Sequence, residues 1–197
     1  MMISMGETPS SRKPCSEHGR RHGFVRTAAA CLGCAMIILL ALAAGAAENS
    51  QERVLSFFNT HTGEHLSVAY KRGADYVPEA LAKIDHILRD PLTGDVYKID
   101  PKLLDFLWDV LEKLDYHKEV EVVCGFRCVE TNTMLHKRTS GVVLGSMHTQ
   151  GRALDFRLPG ILTRKVFDTA RAMRRGGTGY YADSDFVHLD TGPNRQW

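Results

Sequence analysis

The run SMHTQGRALDF, residues 146–156, decides how this sequence folds around a candidate site. His148 falls in a segment that ends at Gly151, and the pattern of residues 153–157 predicts a strand that carries Asp155. A turn at Gly151 would fold the segment back on the strand and direct the His148 imidazole and the Asp155 carboxylate toward one point. Histidine and carboxylate are ligand types that catalytic zinc takes from proteins. The pair is therefore one half of a candidate metal site.

A second predicted strand, FVHLD at residues 186–190, supplies a third ligand. His188 and Asp190 are two residues apart in it and so project from the same face. Catalytic zinc takes three protein ligands and leaves a position for water, which fits His148, Asp155 and His188. Asp190 would then lie beside that water as a general base. On spacing alone a structural role stays open, because a lone strand histidine is more often structural and a histidine seven residues before an aspartate is common by chance.

Periodicity and turn residues predict the remaining elements. Two apolar runs at residues 54–58 and 65–70, separated by NTHTG, predict a β-hairpin. The predicted helices cover residues 78–89, 100–115, 130–137 and 163–173, and the further predicted strands cover residues 119–123, 153–157, 179–181 and 186–190. The sequence thus predicts a single α+β domain in which helices cover an antiparallel sheet.

Charge is distributed unevenly along the 197 residues, whose formal net charge is +2. Residues 1–47 contain five basic and two acidic side chains, so 20 basic and 21 acidic ones follow. A nearly neutral domain does not provide the clustered basic face that nucleic acids require. We therefore expect no nucleic-acid partner.

The first 47 residues have the organisation of an export signal. A polar, basic stretch precedes an apolar run at residues 28–44, and small residues lead into Glu48. This order predicts a signal peptide over residues 1–47 and a mature domain over residues 48–197. Arg20 and Arg21 resemble part of a twin-arginine signal. The alternative is an uncleaved anchor, since 17 apolar residues are near the minimum for spanning a bilayer, and only then would the chain contact a membrane.

Cys124 and Cys128 are the two cysteines of the predicted mature domain. In an oxidising compartment, cysteines four residues apart could form a disulfide. They could bind metal instead if two further ligands lay nearby. We favour structural thiols, free or paired, over metal ligands.

Three blocks of sequence resemble a known family. The string S-x-H-x-x-G-x-A-x-D is matched in full by residues 146–155. The segment CGFR with ETN, at residues 124–127 and 130–132, resembles S-G-Y-R-x-x-x-x-N, and GGTGYY and FVHLDTG follow at residues 176–181 and 186–192. Together they resemble the zinc peptidase superfamily of D-Ala-D-Ala carboxypeptidases and VanX-type dipeptidases, and within it the branch that contains murein endopeptidase K. The similarity covers residues 53–197.

This resemblance implies a D,D-peptidase/hedgehog-like fold and a periplasmic peptidase that uses one Zn²⁺ per chain to cleave cross-links or stem peptides of peptidoglycan. His148, Asp155 and His188 match the zinc ligands of the family. Arg127 matches an arginine that holds the substrate or stabilises the oxyanion, a task suited to a rigid guanidinium.

The resemblance leaves the general base open between two residues. VanX-type relatives place a glutamate three residues before the last histidine, where this chain has Asp185, whereas the H-x-D pattern and strand geometry favour Asp190. Cys124 stands where a serine is usual. The alternative to an enzyme is a module of the same fold that keeps zinc and only recognises the cell wall.

Overall fold

The structure, a computed structural model, describes residues 52–139 and 142–197. Its strands are β1 (Glu52–Asn59), β2 (His65–Arg72), β3 (Asp75–Tyr76), β4 (Val120–Cys124), β5 (Ala153–Arg157), β6 (Gly177–Tyr181), β7 (Phe186–Asp190) and β8 (Arg195–Gln196). Its helices are α1 (Pro78–Ile87), α2 (Pro101–Lys113), α3 (Val129–Arg138) and α4 (Thr163–Met173), with a 3-10 turn at Met147–Gln150. The predicted signal peptide over residues 1–47 lies outside the described residues. Within them, no helix combines the length and the apolar character needed to cross a bilayer.

The eight strands form one sheet in the order β3-β2-β1-β4-β5-β7-β6-β8. Most neighbours are antiparallel, but β1 pairs with β4, and β6 with β8, in parallel. The α+β class is confirmed, whereas the prediction of an antiparallel sheet is wrong because the sheet is mixed. Between β1 and β4 the chain forms β2, β3, α1 and α2. A connection of this length is long enough for β4 to run parallel to β1.

Most predicted elements are present with small changes at their ends. The hairpin forms from β1 and β2, and α4, β5 and β7 have the predicted bounds. The strands β3 and β8 were not predicted because two residues are too few to show a periodicity.

The main core lies between one face of the sheet and the helices. Helix α2 begins after Asp100, whose side chain accepts a hydrogen bond from the Lys102 amide. The buried face of α2 consists of apolar residues at helical spacing, namely Leu103, Leu104, Phe106, Leu107, Val110 and Leu111. Strand residues such as Leu154 and Val187 are also fully buried in this core. Because side chains alternate along a strand, Asp155 and His188 project from the other face.

A β-bulge in β4 determines which of its residues lies beside Asp155. Val122 pairs with Phe156, but the register then shifts and Cys124 pairs with Asp155. An extra residue in one strand reverses the alternation of side chains after it. Asp155 in turn pairs with His188, and His188 with Gly179. Cys124, Asp155, His188 and Gly179 therefore form one cross-strand row on β4, β5, β7 and β6.

Candidate metal centre

The three side chains predicted as metal ligands meet at one point. His148 Nε2 lies 3.2 Å from His188 Nδ1. Asp155 Oδ1 lies 3.3 Å from His148 Nε2 and 2.7 Å from His188 Nδ1. Ligand atoms about 2.0–2.1 Å from a tetrahedral zinc stand roughly 3.3 Å apart, so this triangle is close to the size that zinc requires. All three side chains are buried.

The 3-10 turn that carries His148 is fixed at both ends. At its start, Ser146 Oγ accepts a hydrogen bond from the His148 amide at 3.3 Å. At its end, Gly151 adopts a left-handed φ of 64°. A Cβ atom at Gly151 would also stand 2.2 Å from the carbonyl oxygen of Lys98. The site therefore needs glycine here both for the backbone conformation and for the close approach of the neighbouring segment.

Each imidazole has one nitrogen that faces away from the centre and is hydrogen-bonded. His148 Nδ1 lies 2.7 Å from the carbonyl oxygen of Gly125, and His188 Nε2 lies 3.0 Å from Asp190 Oδ2. These acceptors assign the protons to the outer nitrogens, a pattern typical of metal-binding histidines. The lone pairs of His148 Nε2 and His188 Nδ1 then face Asp155 Oδ1.

Three buried acceptors that face one another require a positive charge between them, since burying unpaired polar groups is costly. Burial alone would lower the pKa of His148, but the Asp155 carboxylate raises it well above its ordinary value. Burial would likewise raise the pKa of Asp155, and the two histidines instead hold it far below its ordinary value. Two imidazole nitrogens and one carboxylate oxygen are a ligand set of catalytic zinc. The residues present therefore fit a divalent zinc ion.

A family model described as peptidoglycan L,D-endopeptidase MepK matches residues 47–197. The chain belongs to the MepK peptidase family. The chain is 40% identical over 146 residues to the probable peptidoglycan L,D-endopeptidase MepK of Haemophilus influenzae, covering 74% of this chain and 78% of the relative. It is 41% identical over 145 residues to the peptidoglycan L,D-endopeptidase MepK of Escherichia coli K12, covering 74% of this chain and 80% of the relative. No solved structure matches the chain.

In this MepK-family site, Asp190 is fully buried behind His188 and surrounded by donors. Besides the His188 ring, the backbone amides of Gly177 and Gly192 donate to it at 3.1 and 2.7 Å. Arg195 donates to both carboxylate oxygens, at 3.1 and 2.7 Å. Burial raises the pKa of Asp190, but these donors outweigh it and hold the pKa far below its ordinary value. This environment suits a carboxylate that orients His188 better than one that accepts a proton.

Asp185, the other predicted base, lies in the turn between β6 and β7. It is exposed, has a positive φ of 51°, and accepts a hydrogen bond from the Thr163 hydroxyl at the start of α4. Helix α4 contacts the face of the sheet opposite Asp155 and His188, where Phe167 packs on Tyr180. The structure therefore does not bring the Asp185 carboxylate to the centre.

Arg127 lies next to the centre, in the loop between β4 and α3. Its backbone amide donates to the His148 carbonyl at 3.2 Å. Its guanidinium donates to Asn132 Oδ1 and lies against Cys124 Sγ, both at 3.2 Å. The guanidinium is therefore held beside the centre by Asn132 and Cys124.

Cys124 also lies at this site, although its sequence context favoured a structural thiol. One atom each of Cys124, His148 and Asp155 lie within 4.8 Å of one another. Cys128 instead caps α3, where its sulfur accepts a hydrogen bond from the Thr131 amide at 3.4 Å, and both thiols are free. In the sequence, Cys124 stood out only in the arginine motif and in its pairing with Cys128, because the bulge that turns it toward Asp155 leaves no periodic pattern.

Proposed function

We propose that this chain is a zinc-dependent murein endopeptidase that hydrolyses peptide cross-links, or stem peptides, of bacterial peptidoglycan. The observation that carries the proposal is the buried triangle of His148 Nε2, His188 Nδ1 and Asp155 Oδ1. The curated relatives are named peptidoglycan L,D-endopeptidases, which supports peptidoglycan as the substrate and an L,D cross-link as the bond that is cut.

Each part of the site has a separate task in this proposal. Zinc, when bound, would polarise the scissile carbonyl and lower the pKa of the attacking water. His148, Asp155 and His188 would hold the ion, while the Gly125 carbonyl and Asp190 keep the two rings in the required orientation. The guanidinium of Arg127 would donate to the oxyanion that develops on the substrate.

We assign Asp190 to the orientation of His188, because four donor groups already occupy its carboxylate. Asp185 could accept the proton of the attacking water only if the turn at residues 182–185 rearranged, because its carboxylate is bonded to Thr163. Substitution of Asp190 and substitution of Asp185 should therefore have different effects.

Treating purified sacculi with the full chain tests the proposal. Mass spectrometry of the released muropeptides should show cleavage that chelation abolishes and added zinc restores. His148→Ala should lose both zinc and cleavage, whereas His117→Ala, which removes an exposed histidine, should lose neither. Release that persists after complete chelation would rule out a zinc mechanism.

A non-catalytic zinc module that binds the cell wall is the second candidate. It is favoured by the positions of the two acids, since Asp190 is committed to His188 and Asp185 is turned away. One equivalent of zinc together with sacculus binding, but without any cleaved bond, would establish this alternative over the enzyme.

We also propose that residues 1–47 export the chain to the periplasm, where peptidoglycan lies. The basic and then apolar order of this segment supports export, and the Arg20-Arg21 pair supports the twin-arginine route. Fractionation of cells that express the full chain, and the double substitution Arg20→Lys/Arg21→Lys, test both points. Chain that stays with the membrane after export would indicate an uncleaved anchor.

A further inference from the structure

The cross-strand row of Cys124, Asp155 and His188 ends at Gly179, and another residue occupies the space where a side chain at position 179 would lie. Gly179 pairs with His188, so a side chain there would project beside the His188 ring. The indole of Trp197 occupies that space, and a Cβ atom at Gly179 would stand 2.7 Å from it. The ring centres of Trp197 and His188 are 5.2 Å apart. Trp197 thus extends the row of metal-site residues by one position.

Several contacts hold the indole in place. The Trp197 backbone amide and carbonyl pair with Thr178 and Tyr180, in line with the edge strand β8. The indole Nε1 donates to the Tyr181 hydroxyl at 2.9 Å. The guanidinium of Arg195, which also binds Asp190, lies 5.1 Å from the centre of the indole.

Although these contacts fix the indole, it is not buried. The exposed fraction of Trp197 is 47%, whereas the adjoining His188 is 7% exposed. A rigid, half-exposed aromatic ring next to a ligand of the centre offers an apolar surface to whatever enters the site.

We propose that the indole of Trp197 forms one wall of the substrate groove and packs against the peptide stem of the substrate beside the scissile bond. This inference rests on the proposed function, because it takes the bound ligand to be a peptidoglycan peptide. It makes Trp197 a substrate-binding residue and gives Gly179 the role of leaving room for it.

Steady-state kinetics on soluble cross-linked muropeptide dimers, prepared from sacculi with a muramidase, test the proposal. Trp197→Ala should raise KM about tenfold, the ratio that corresponds to about 1.4 kcal/mol, with a much smaller effect on kcat. Trp197→Phe keeps a ring over Gly179 and should lie between the wild type and the alanine variant. Trp108→Phe, the control, changes the chain's other tryptophan, which packs on the core from α2, and should leave KM unchanged.

Gly179→Ala displaces the indole without removing it and gives an independent measurement. Alone it should raise KM about as much as Trp197→Ala, because the two groups cannot share the space. In the Trp197→Ala background it should add almost nothing, which is the non-additivity expected of residues in contact. Additive effects of the two substitutions, or a KM within about twofold of the wild type for Trp197→Ala, would overturn the proposal.

Fluorescence separates failure of this inference from failure of the proposed function. In Trp108→Phe, all tryptophan emission comes from Trp197, so saturating muropeptide should shift its intensity or wavelength whether or not a bond is cut. Emission that responds without any cleavage would contradict the endopeptidase and support the groove wall. Cleavage with unchanged emission would contradict the groove wall and leave the endopeptidase standing. The emission measurement also decides the question if Trp197→Ala does not fold.

Discussion

Asp190 is fully buried behind His188 and is hydrogen-bonded to the ring nitrogen that faces away from Asp155, a position from which a carboxylate can orient the imidazole. We expect Asp190→Asn to weaken zinc binding about 10- to 100-fold, the usual effect of removing an outer hydrogen-bond partner of a metal ligand. Cleavage should recover as zinc is raised toward saturation, because the ligands themselves are intact. Competition with a chromophoric chelator measures the affinity, and muropeptide release measures the cleavage.

Asp185→Asn is the matched control for that substitution, since it neutralises the other predicted base. We expect it to change neither zinc affinity nor cleavage. The Asp185 carboxylate accepts a hydrogen bond from Thr163 of α4, the helix that packs on the face of the sheet opposite Asp155 and His188. If Asp190→Asn bound zinc normally yet failed to cleave at saturating zinc, Asp190 would be the base after all. If Asp185→Asn alone abolished cleavage, the turn between β6 and β7 would have to rearrange during the reaction.

Cys124 places a thiol within 4.8 Å of ligand atoms of His148 and Asp155. We expect iodoacetamide to inactivate the zinc-loaded chain, because an alkyl group on this sulfur would occupy the space beside the centre. Cys124→Ser should cleave as well after the treatment as before it, whereas Cys128→Ser should be inactivated like the wild type. Peptide mapping identifies the alkylated cysteine. Inactivation of Cys124→Ser at the wild-type rate would show that the sensitive group lies elsewhere.

At the scale of single elements, the sequence predicted the helices and strands that are marked by hydrophobic periodicity and by turn or capping residues. Helix α4 and strands β5 and β7 have the expected bounds, and the side chains of His148, Asp155 and His188, which were predicted as metal ligands, lie together. The bulge in β4 could not be read, because an inserted residue has no sequence period of its own. The carboxylates of Asp190 and Asp185 are hydrogen-bonded to Arg195 and Thr163, respectively. No local sequence pattern reveals these tertiary partners.

The 3-10 turn gives a prediction for one element. Gly151→Ala should destabilise the fold by about 1–2 kcal/mol for its left-handed backbone, and by about 1–3 kcal/mol more for the overlap with the Lys98 carbonyl. Because relieving this overlap moves His148, zinc affinity should fall as well. Gly63→Ala is the control, since Gly63 has a similar φ of 72° but open space around it, and should show only the backbone cost. Denaturant unfolding measures both variants, and equal losses would show that the close approach is relieved without strain.

For the molecule as a whole, one charged cluster joins the hairpin end of the sheet to the helices. Asp105 of α2 accepts hydrogen bonds from Tyr70, Lys71 and Tyr76, at 2.9, 2.9 and 2.6 Å. Arg53 of β1 adds a fourth donor at 3.2 Å. The composition showed a nearly neutral domain but not that four of its polar side chains converge on a single acid. None of these hydrogen bonds involves His148, Asp155 or His188, so the cluster can be perturbed without removing a partner of those three side chains.

Asp105 therefore makes stability depend on pH. Burial alone would raise the pKa of Asp105, but the bonds from Tyr76, Lys71 and Tyr70 hold it below its ordinary value. Since the folded-state pKa is the lower one, the stabilisation is fully present above the unfolded-state pKa of about 3.9 and is lost as the pH falls through the folded-state pKa. Asp105→Asn should lower the free energy of unfolding by about 2 kcal/mol at pH 7.

That difference should begin to shrink as the pH falls below about 4, and it should be lost only below the folded-state pKa, where both chains carry a neutral group at position 105. Urea unfolding at a series of pH values, with chelator present so that metal release does not contribute, measures it. The exposed Asp183→Asn should stay within about 0.5 kcal/mol of the wild type throughout. A difference between wild type and Asp105→Asn that stayed constant down to the lowest pH would mean that the side chain acts through its shape and not through its charge.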